Sequence, residues 1–193
     1  MKVTNLAEDT EDFTGNIWLM ENGEKVLIDT GTGDSWKNIR ELKKVDKVIL
    51  THSHYDHIDN LPKVEDGYSP KIYAFQPENL PVGAEKLEEG DKIDLCGSKF
   101  KIFHSPGHKD DSICLYSGEE KILFTGDLIF PDGGFGRTDL EEGDREKLIE
   151  SIKKLIGLEV EEMYCGHEEA AKEDVEKQIR RSLEEAKKRE SKY

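Results

Sequence analysis

Three of the six histidines in this 193-residue chain fall inside one nine-residue stretch, Thr51-His52-Ser53-His54-Tyr55-Asp56-His57-Ile58-Asp59. No other segment restricts the fold as tightly. His52, His54 and Asp56 are metal-ligand residue types spaced two apart. On a helix His54 would point about 200° away from His52, and the pair could not share an ion. In an extended segment alternate side chains lie on one side, which brings the three together. His57 then falls where the chain turns into a following helix and faces a second, adjacent ion. One loop thus supplies ligands to two cations, provided that a strand precedes it. Residues 45–50, with apolar Val48, Ile49 and Leu50, read as that strand.

The remaining pattern alternates strands with helices. Residues 15–20 read as a strand, Asn22-Gly23 as a tight hairpin turn and Glu24–Ile28 as the return strand. Asp34 or Ser35 is expected to cap a short helix running to about Lys44. A second helix is expected over residues 58–64, with Pro62 tolerated in its first turn. Further strands are predicted at 71–75, 92–95, 99–103, 113–116, 121–124 and 160–164. Asp144 is placed to cap a helix whose Leu148, Ile149, Ile152, Leu155 and Ile156 recur at helical spacing. A charged helix over residues 172–188 carries the stripe Val175, Ile179, Leu183 and Ala186, read as covering a core. Two strand-rich halves with helices predict an α/β protein with sheets face to face and helices outside.

The other candidate donors repeat one placement. Asp29, His108, Asp127 and His167 each fall just past the end of a predicted strand, where sites of α/β proteins assemble. Gly107, Gly126 and Gly166 directly precede the last three and permit tight turns and close backbone approach. Loops that converge on one rim, each with an imidazole or carboxylate, predict a dinuclear metal site. His104 reads first as an ordinary loop histidine, with support of a metal ligand from behind as its functional role.

Composition narrows the function classes. Lys+Arg 28 against Asp+Glu 43 gives a net charge of −15, and such a surface repels phosphate backbones. The sequence shows no basic patch, so no nucleic-acid partner is expected. The longest apolar runs are four residues, such as Ile17-Trp18-Leu19-Met20. A spanning helix needs ~20, so no membrane partner is expected either. No basic start followed by an apolar stretch marks export, and the expected location is cytoplasmic. The length fits a single domain over residues 1–193. Cys96, Cys114 and Cys165 have no CxxC spacing and read as small buried hydrophobes. Two Gln in a chain crowded with Lys and Glu suggest a thermophilic origin.

The motifs LIDTG from Leu27, THSHYDH from Thr51, SPGH from Ser105, FTGD from Phe124 and YCGH from Tyr164 stand in an order that resembles the metallo-β-lactamase superfamily. The resemblance runs from Asp29 to His167. It implies an αββα four-layer sandwich, with two mixed sheets flanked by helices. It also implies that His52, His54 and His108 bind one metal, that Asp56, His57 and His167 bind the second, and that Asp127 bridges. Asp29 would orient the site from behind. Two divalent ions are the implied cofactor; zinc is expected, and iron or manganese suits the same nitrogen and oxygen donors. Such a pair holds a bridging water whose pKa falls towards ~7, giving a hydroxide that attacks an acyl carbon. Asp56 is the catalytic candidate, orienting that hydroxide by a hydrogen bond.

Within the superfamily, Asp127 stands where antibiotic-hydrolysing zinc enzymes typically place Cys, and His54 where the flavodiiron branch usually has Glu. Phe135-Gly136-Arg137-Thr138-Asp139 looks like the GRTD loop of the glyoxalase II and persulfide dioxygenase branch. Arg137 is expected to anchor that loop by pairing with Asp139 or another acid, with substrate contact as its second role. Lys109 departs from the usual Thr, and Asp111 from a frequent Gly. The larger C-terminal helical domain of full-length glyoxalase II is also missing, so a smaller or different acyl substrate becomes plausible. The implied function is hydrolysis of a thioester, as by hydroxyacylglutathione hydrolases, or of a related acyl ester. The partner would be a small-molecule acyl substrate; the sequence is silent on oligomeric state. The alternatives are a mononuclear iron persulfide dioxygenase using His52, His108 and Asp127, and below it a non-catalytic metal-binding protein.

Overall fold

Asn22 and Gly23 turn the chain back on itself as predicted. Asn22 pairs with Glu24 in an antiparallel ladder, and Gly23 takes φ +76° at the tip. Glycine adopts that left-handed conformation freely, whereas other residues lose about 1–2 kcal/mol there. The hairpin belongs to the first of two compact units, Met1–Glu88 with Asp94–Ser98; the second holds Glu89–Ile93 and the residues from Lys99 onward. The computed structural model describes residues 1–188.

The first unit carries a mixed sheet in sequential order: β1 (Lys2–Asn5), β2 (Trp18–Asn22), β3 (Glu24–Ile28), β4 (Lys47–Ile49), β5 (Lys71–Ala74) and β6 (Glu85–Lys86). β1 to β3 run antiparallel and β3 to β6 parallel. Parallel neighbours require crossover connections. Helix α1 (Trp36–Ile39) provides one, and α2 (Tyr55–Ile58) with α3 (Leu61–Tyr68) another. Leu19, Leu27, Val48 and Ile72 form one row across four strands. Ile39, Leu61 and Val64 from the helices join that row in a single buried cluster.

The other sheet, which belongs to the second unit except for Asp94, Leu95 and Ser98, has the order β11-β10-β9-β8-β7. Its strands are β7 (Lys92–Leu95), β8 (Ser98–His104), β9 (Ile113–Ser117), β10 (Ile122–Gly126) and β11 (Glu162–Cys165). β10 and β11 are parallel, and β8, β9 and β10 antiparallel. Asp144 caps α4 (Arg145–Leu155) as expected, its carboxylate accepting from Lys147 N at 2.9 Å. Leu148, Ile149, Ile152 and Leu155 of α4 cluster with Phe103, Cys114, Leu123 and Met163 of the sheet. Helix α5 (Val175–Lys188) adds Val175, Ile179 and Ala186, and Leu183 packs at the edge. Its predicted stripe therefore covers a core. The architecture is α/β, two mixed sheets flanked by helices, as expected.

Four local expectations change. The first helix stops at Ile39, well short of Lys44, and neither Asp34 nor Ser35 caps it with a side-chain bond. Ser35 Oγ donates instead to Thr32 O at 2.7 Å, and Asp34 ties down the preceding loop through Glu11 N and Asp12 N. The helix expected over 58–64 is split into α2 and α3, with Pro62 in the first turn of α3. The strand expected from Gly15 starts at Trp18. β1 and β6 are short edge strands whose mostly polar residues show no alternating pattern. Among the described residues, no helix is long and apolar enough to cross a membrane.

Candidate metal centre

The first unit builds its donors around one buried carboxylate. Asp29 follows β3 directly at φ +63°, a conformation that Asp and Asn tolerate better than most residues. Its main-chain N–H donates to Ile49 O at 2.9 Å, stitching the end of β3 to the end of β4. Its side chain, 2% exposed, accepts three hydrogen bonds: from Thr51 N and Thr51 Oγ1, each at 2.7 Å, and from His57 Nδ1 at 2.8 Å. A carboxylate only accepts, so His57 carries its proton on Nδ1. Thr51 spends its hydroxyl proton on Asp29 and therefore accepts from His52 Nδ1 at 3.1 Å. One carboxylate thus fixes the tautomers of both buried imidazoles and keeps each Nε2 as an electron-pair donor.

His54 is extended (φ −68°, ψ 146°), but Asp56 is not: the helix begins at Tyr55, so Asp56 and His57 both ride its first turn. The extended reading of the whole His52–His54–Asp56 set is corrected there. The early turn follows from the His57 carbonyl, which accepts from Thr30 N, Gly31 N and Thr30 Oγ1 at 2.8, 3.1 and 3.0 Å. The donors still gather. The His52 ring centroid lies 4.1 Å from that of His57 and 4.9 Å from that of His54, and Asp56 Oδ2 lies 3.7 Å from His57 Nε2. Gly15 is held against this cluster by its N–H to Asp56 O at 2.9 Å. A Cβ there would stand 2.6 Å from His57 Cε1, so the contact admits only glycine.

The second unit brings the two remaining predicted histidine ligands, His108 and His167, to Asp127. His108 follows Gly107, whose φ of +135° and close approach to α4 leave no room for a side chain: a Cβ would meet Leu148 N at 2.3 Å. His108 Nδ1 donates to Arg137 O at 2.9 Å, which again keeps Nε2 as the donor atom. Gly136 brings that carbonyl in, since a Cβ there would lie 1.9 Å from Asp127 O and 3.0 Å from His108 Cβ. Asp127 Oδ2 lies 3.4 Å from His108 Nε2 and 3.4 Å from His167 Nε2. With Nδ1 on the Arg137 carbonyl, His108 turns Nε2 toward a carboxylate oxygen, an arrangement that suits a cation between them. Imidazole nitrogen with carboxylate oxygen is a donor set suited to zinc, iron or manganese, so the residues fit a divalent metal.

The remaining candidates are placed as follows. Arg137 forks onto Asp139, with Nε and an Nη each at 2.9 Å, on the surface. The Asp139 carboxylate holds the guanidinium pKa above its ordinary value. The pairing expected of Arg137 is present, but the loop is tied to His108 by the Arg137 main-chain carbonyl. His104 directs Nε2 at Asp110 O, 2.8 Å away. All three cysteines are buried and free of disulfides. Burial pushes the Cys114 and Cys165 thiols up to about 12 and Cys96 to about 11, so they remain protonated packing groups. Lys109 is buried with its ammonium 2.5 Å from Glu142, whose carboxyl it holds below the usual range. Thr51 and Gly15 were not singled out from sequence. The Thr that precedes His52 in the motif was the available sign for the first, and nothing in the local pattern marked the second.

An α/β fold of two mixed sheets, with imidazoles and carboxylates oriented at strand ends, defines a metal-binding protein of a recognisable class. Residues 10–167 match the Metallo-beta-lactamase superfamily, and the chain belongs to it. A hydroxyacylglutathione hydrolase of Aliivibrio fischeri is 33% identical over 162 residues, covering 80% of this chain and 62% of that protein. Hydroxyacylglutathione hydrolase GloC of Haemophilus influenzae is 33% identical over 174 residues, covering 76% of this chain and 81% of that protein. The chain thus spans less than two thirds of the first relative and most of the second. Among solved structures, the BLEG-1 B3 metallo-beta-lactamase superposes with a TM-score of 0.77 at 25% identity, covering 95% of this chain and 97% of that one.

Proposed function

We propose that this chain is a metal-dependent hydrolase that cleaves thioesters. In this reading His52, His54 and His108 hold one divalent cation, Asp56, His57 and His167 hold a second, and Asp127 serves both. The observation that carries it is the tautomer control in each unit: Asp29 in one and the Arg137 carbonyl in the other turn imidazole Nε2 atoms into electron-pair donors. Support also comes from relatives named hydroxyacylglutathione hydrolase at 33% identity.

Divalent cations bound there would lower the pKa of water from 15.7 towards ~7 and polarise a substrate carbonyl. The chain's own groups do the rest. Asp56, at the start of α2, accepts a hydrogen bond from the attacking water and aims it at the acyl carbon. Asp29 stands behind His57, and its hydrogen bond to Nδ1 keeps the ring from turning. The water oxygen joins the acyl carbon as its proton is lost to solvent, the C–S bond breaks, and the sulfur leaves as thiolate. A thiol pKa of about 8.5 makes that departure feasible without a dedicated acid.

The test is metal content together with turnover. Protein loaded in turn with zinc, iron and manganese is assayed by elemental analysis and against thioesters, a lactone, a β-lactam and a persulfide. Two ions per chain with thioester cleavage is the expected result. One iron per chain, with oxygen consumed alongside the persulfide, would replace this reading by a dioxygenase. Cleavage of the β-lactam alone would replace it by an antibiotic hydrolase, and metal without any turnover would leave a binding protein.

A further inference from the structure

His108 is oriented by the Arg137 carbonyl on its Nδ1, and that carbonyl belongs to a largely exposed loop, residues 137–143. The Arg137 guanidinium does not fasten this loop, because its partner Asp139 lies in the same loop. The fastening comes from further along the chain. Lys109, the residue after His108, is 8% exposed and donates its ammonium to Glu142 at 2.5 Å. The other Glu142 oxygen accepts from Asp110 N at 3.4 Å, and Asp144 N donates to Gly107 O at 2.8 Å. Lys147 of α4 steadies the Asp110 carboxylate at 2.9 Å. A buried ammonium stripped of its carboxylate is strongly unfavourable, which sets this pair apart from the exposed ones.

Glu142 is coupled to Arg137 through the neck of the loop. Gly143 packs so tightly on Thr138 that a Cβ would meet Thr138 O at 2.3 Å. Thr138 follows Arg137 directly, so a shift of Glu142 passes through Gly143 and Thr138 to the Arg137 carbonyl. The path from His108 through Lys109, Glu142, Gly143, Thr138 and Arg137 closes at His108 Nδ1, entirely within the second unit. We propose that Lys109 and Glu142 are positioning residues, whose clasp holds the Arg137 carbonyl on His108 Nδ1 and so aims Nε2 as a ligand. The inference rests on the reading of His108 as a metal ligand, and both residues act only through it.

Glu142→Ala, Lys109→Met, the double variant and Glu142→Gln test it. Lys153→Met, which removes the exposed Lys153–Glu150 pair, is the control. Solvent exchange of the His108 Nδ1 proton is followed by nitrogen-15 NMR in the metal-free protein, and zinc affinity by competition with a chromophoric chelator. Glu142→Ala should lose the Nδ1 proton signal to fast exchange. Its zinc affinity should fall about tenfold, the low end for loss of an orienting partner, because the carbonyl is displaced rather than removed. Lys109→Met and the double variant should match that loss without adding to it, since either change opens the same clasp. Glu142→Gln keeps an oxygen for the ammonium and should stay within about threefold of the parent. Lys153→Met should move neither readout. An Nδ1 signal that survives Glu142→Ala overturns the clasp, whatever happens to stability. Losses that add in the double variant overturn it too, because the two residues then act separately. A lost signal with unchanged zinc affinity overturns the role in aiming the ligand. Failure of the parent to bind zinc sinks the metal-centre reading instead, and the Nδ1 signal, read without metal, still decides whether the clasp holds the carbonyl.

Discussion

Replacing Asp29 with Asn tests the whole orientation argument with a change of one atom. The native carboxylate accepts from Thr51 N, Thr51 Oγ1 and His57 Nδ1 at 2.7, 2.7 and 2.8 Å. An amide has one accepting oxygen and one donating nitrogen. With the oxygen left on Thr51 N, the NH2 faces His57 Nδ1 and forces the imidazole into the Nε2–H tautomer, removing its electron pair from the ligand position. Loss of such an orienting partner costs 10–100-fold in metal affinity, about 1.4–2.7 kcal/mol. Two charge-assisted bonds are also replaced by reoriented neutral ones, at roughly 2 kcal/mol of stability in the metal-free protein. The backbone contributes nothing to that figure, because Asn accepts φ +63° as readily as Asp. Asp29→Ala adds about 1–2 kcal/mol of left-handed strain on top. Metal affinity is read by competition with a chromophoric chelator, stability by urea melts, and the tautomer by nitrogen-15 NMR of the imidazole. Affinity within twofold of the parent, with the proton still on Nδ1, would refute the reasoning.

Asp127→Ala should strip metal from both positions, and unchanged metal content by elemental analysis would rule out its shared role. Gly15→Ala should push the His57 ring aside, lowering stability by about 1–3 kcal/mol in a urea melt and weakening metal binding in the same sample. Arg137→Ala should change stability by less than about 0.5 kcal/mol and leave metal content intact, because the exposed side chain pairs only locally while its main-chain carbonyl still orients His108. Lys109 and Glu142 give a pH signature. The Glu142 pKa is held below its ordinary 4.5, so the pair's stabilisation is complete above that value and fades as pH falls through the depressed one. Urea midpoints of Lys109→Met should accordingly drop less than those of the parent between neutral pH and about pH 3; parallel curves would show that the pair contributes nothing.

The gathering of candidate donors at strand ends was more legible in the sequence than the local backbone. Val26, Leu27 and Ile28, and again Val48, Ile49 and Leu50, are buried without alternation. They read as strands because parallel neighbours covered on both faces demand apolar runs. Of the glycines before His108, Asp127 and His167, Gly107 marks a turn that close approach requires, and Gly126 takes a positive φ of 48°. The start of α2 was hidden because it depends on the His57 carbonyl, whose donors Thr30 and Gly31 lie far back in the chain. The capping expected of Asp34 failed for the same kind of reason: its acceptors were claimed by a distant loop. The Arg137 carbonyl was illegible in principle, since a main-chain oxygen leaves no mark on residue type. β1 and β6 gave no pattern because strands this short and polar are held by their neighbours.

The three sealed sulfhydryls supply a reporter that needs no engineering. Cys96 belongs to the first unit, and Cys114 and Cys165 to the second. Alkylation of each requires that its surroundings breathe open and that the proton be lost, so labelling rates followed by mass spectrometry become separate clocks for the two halves of the chain. Adding metal while those clocks run would tell which half the ions steady, and by how much, before any substrate is in hand.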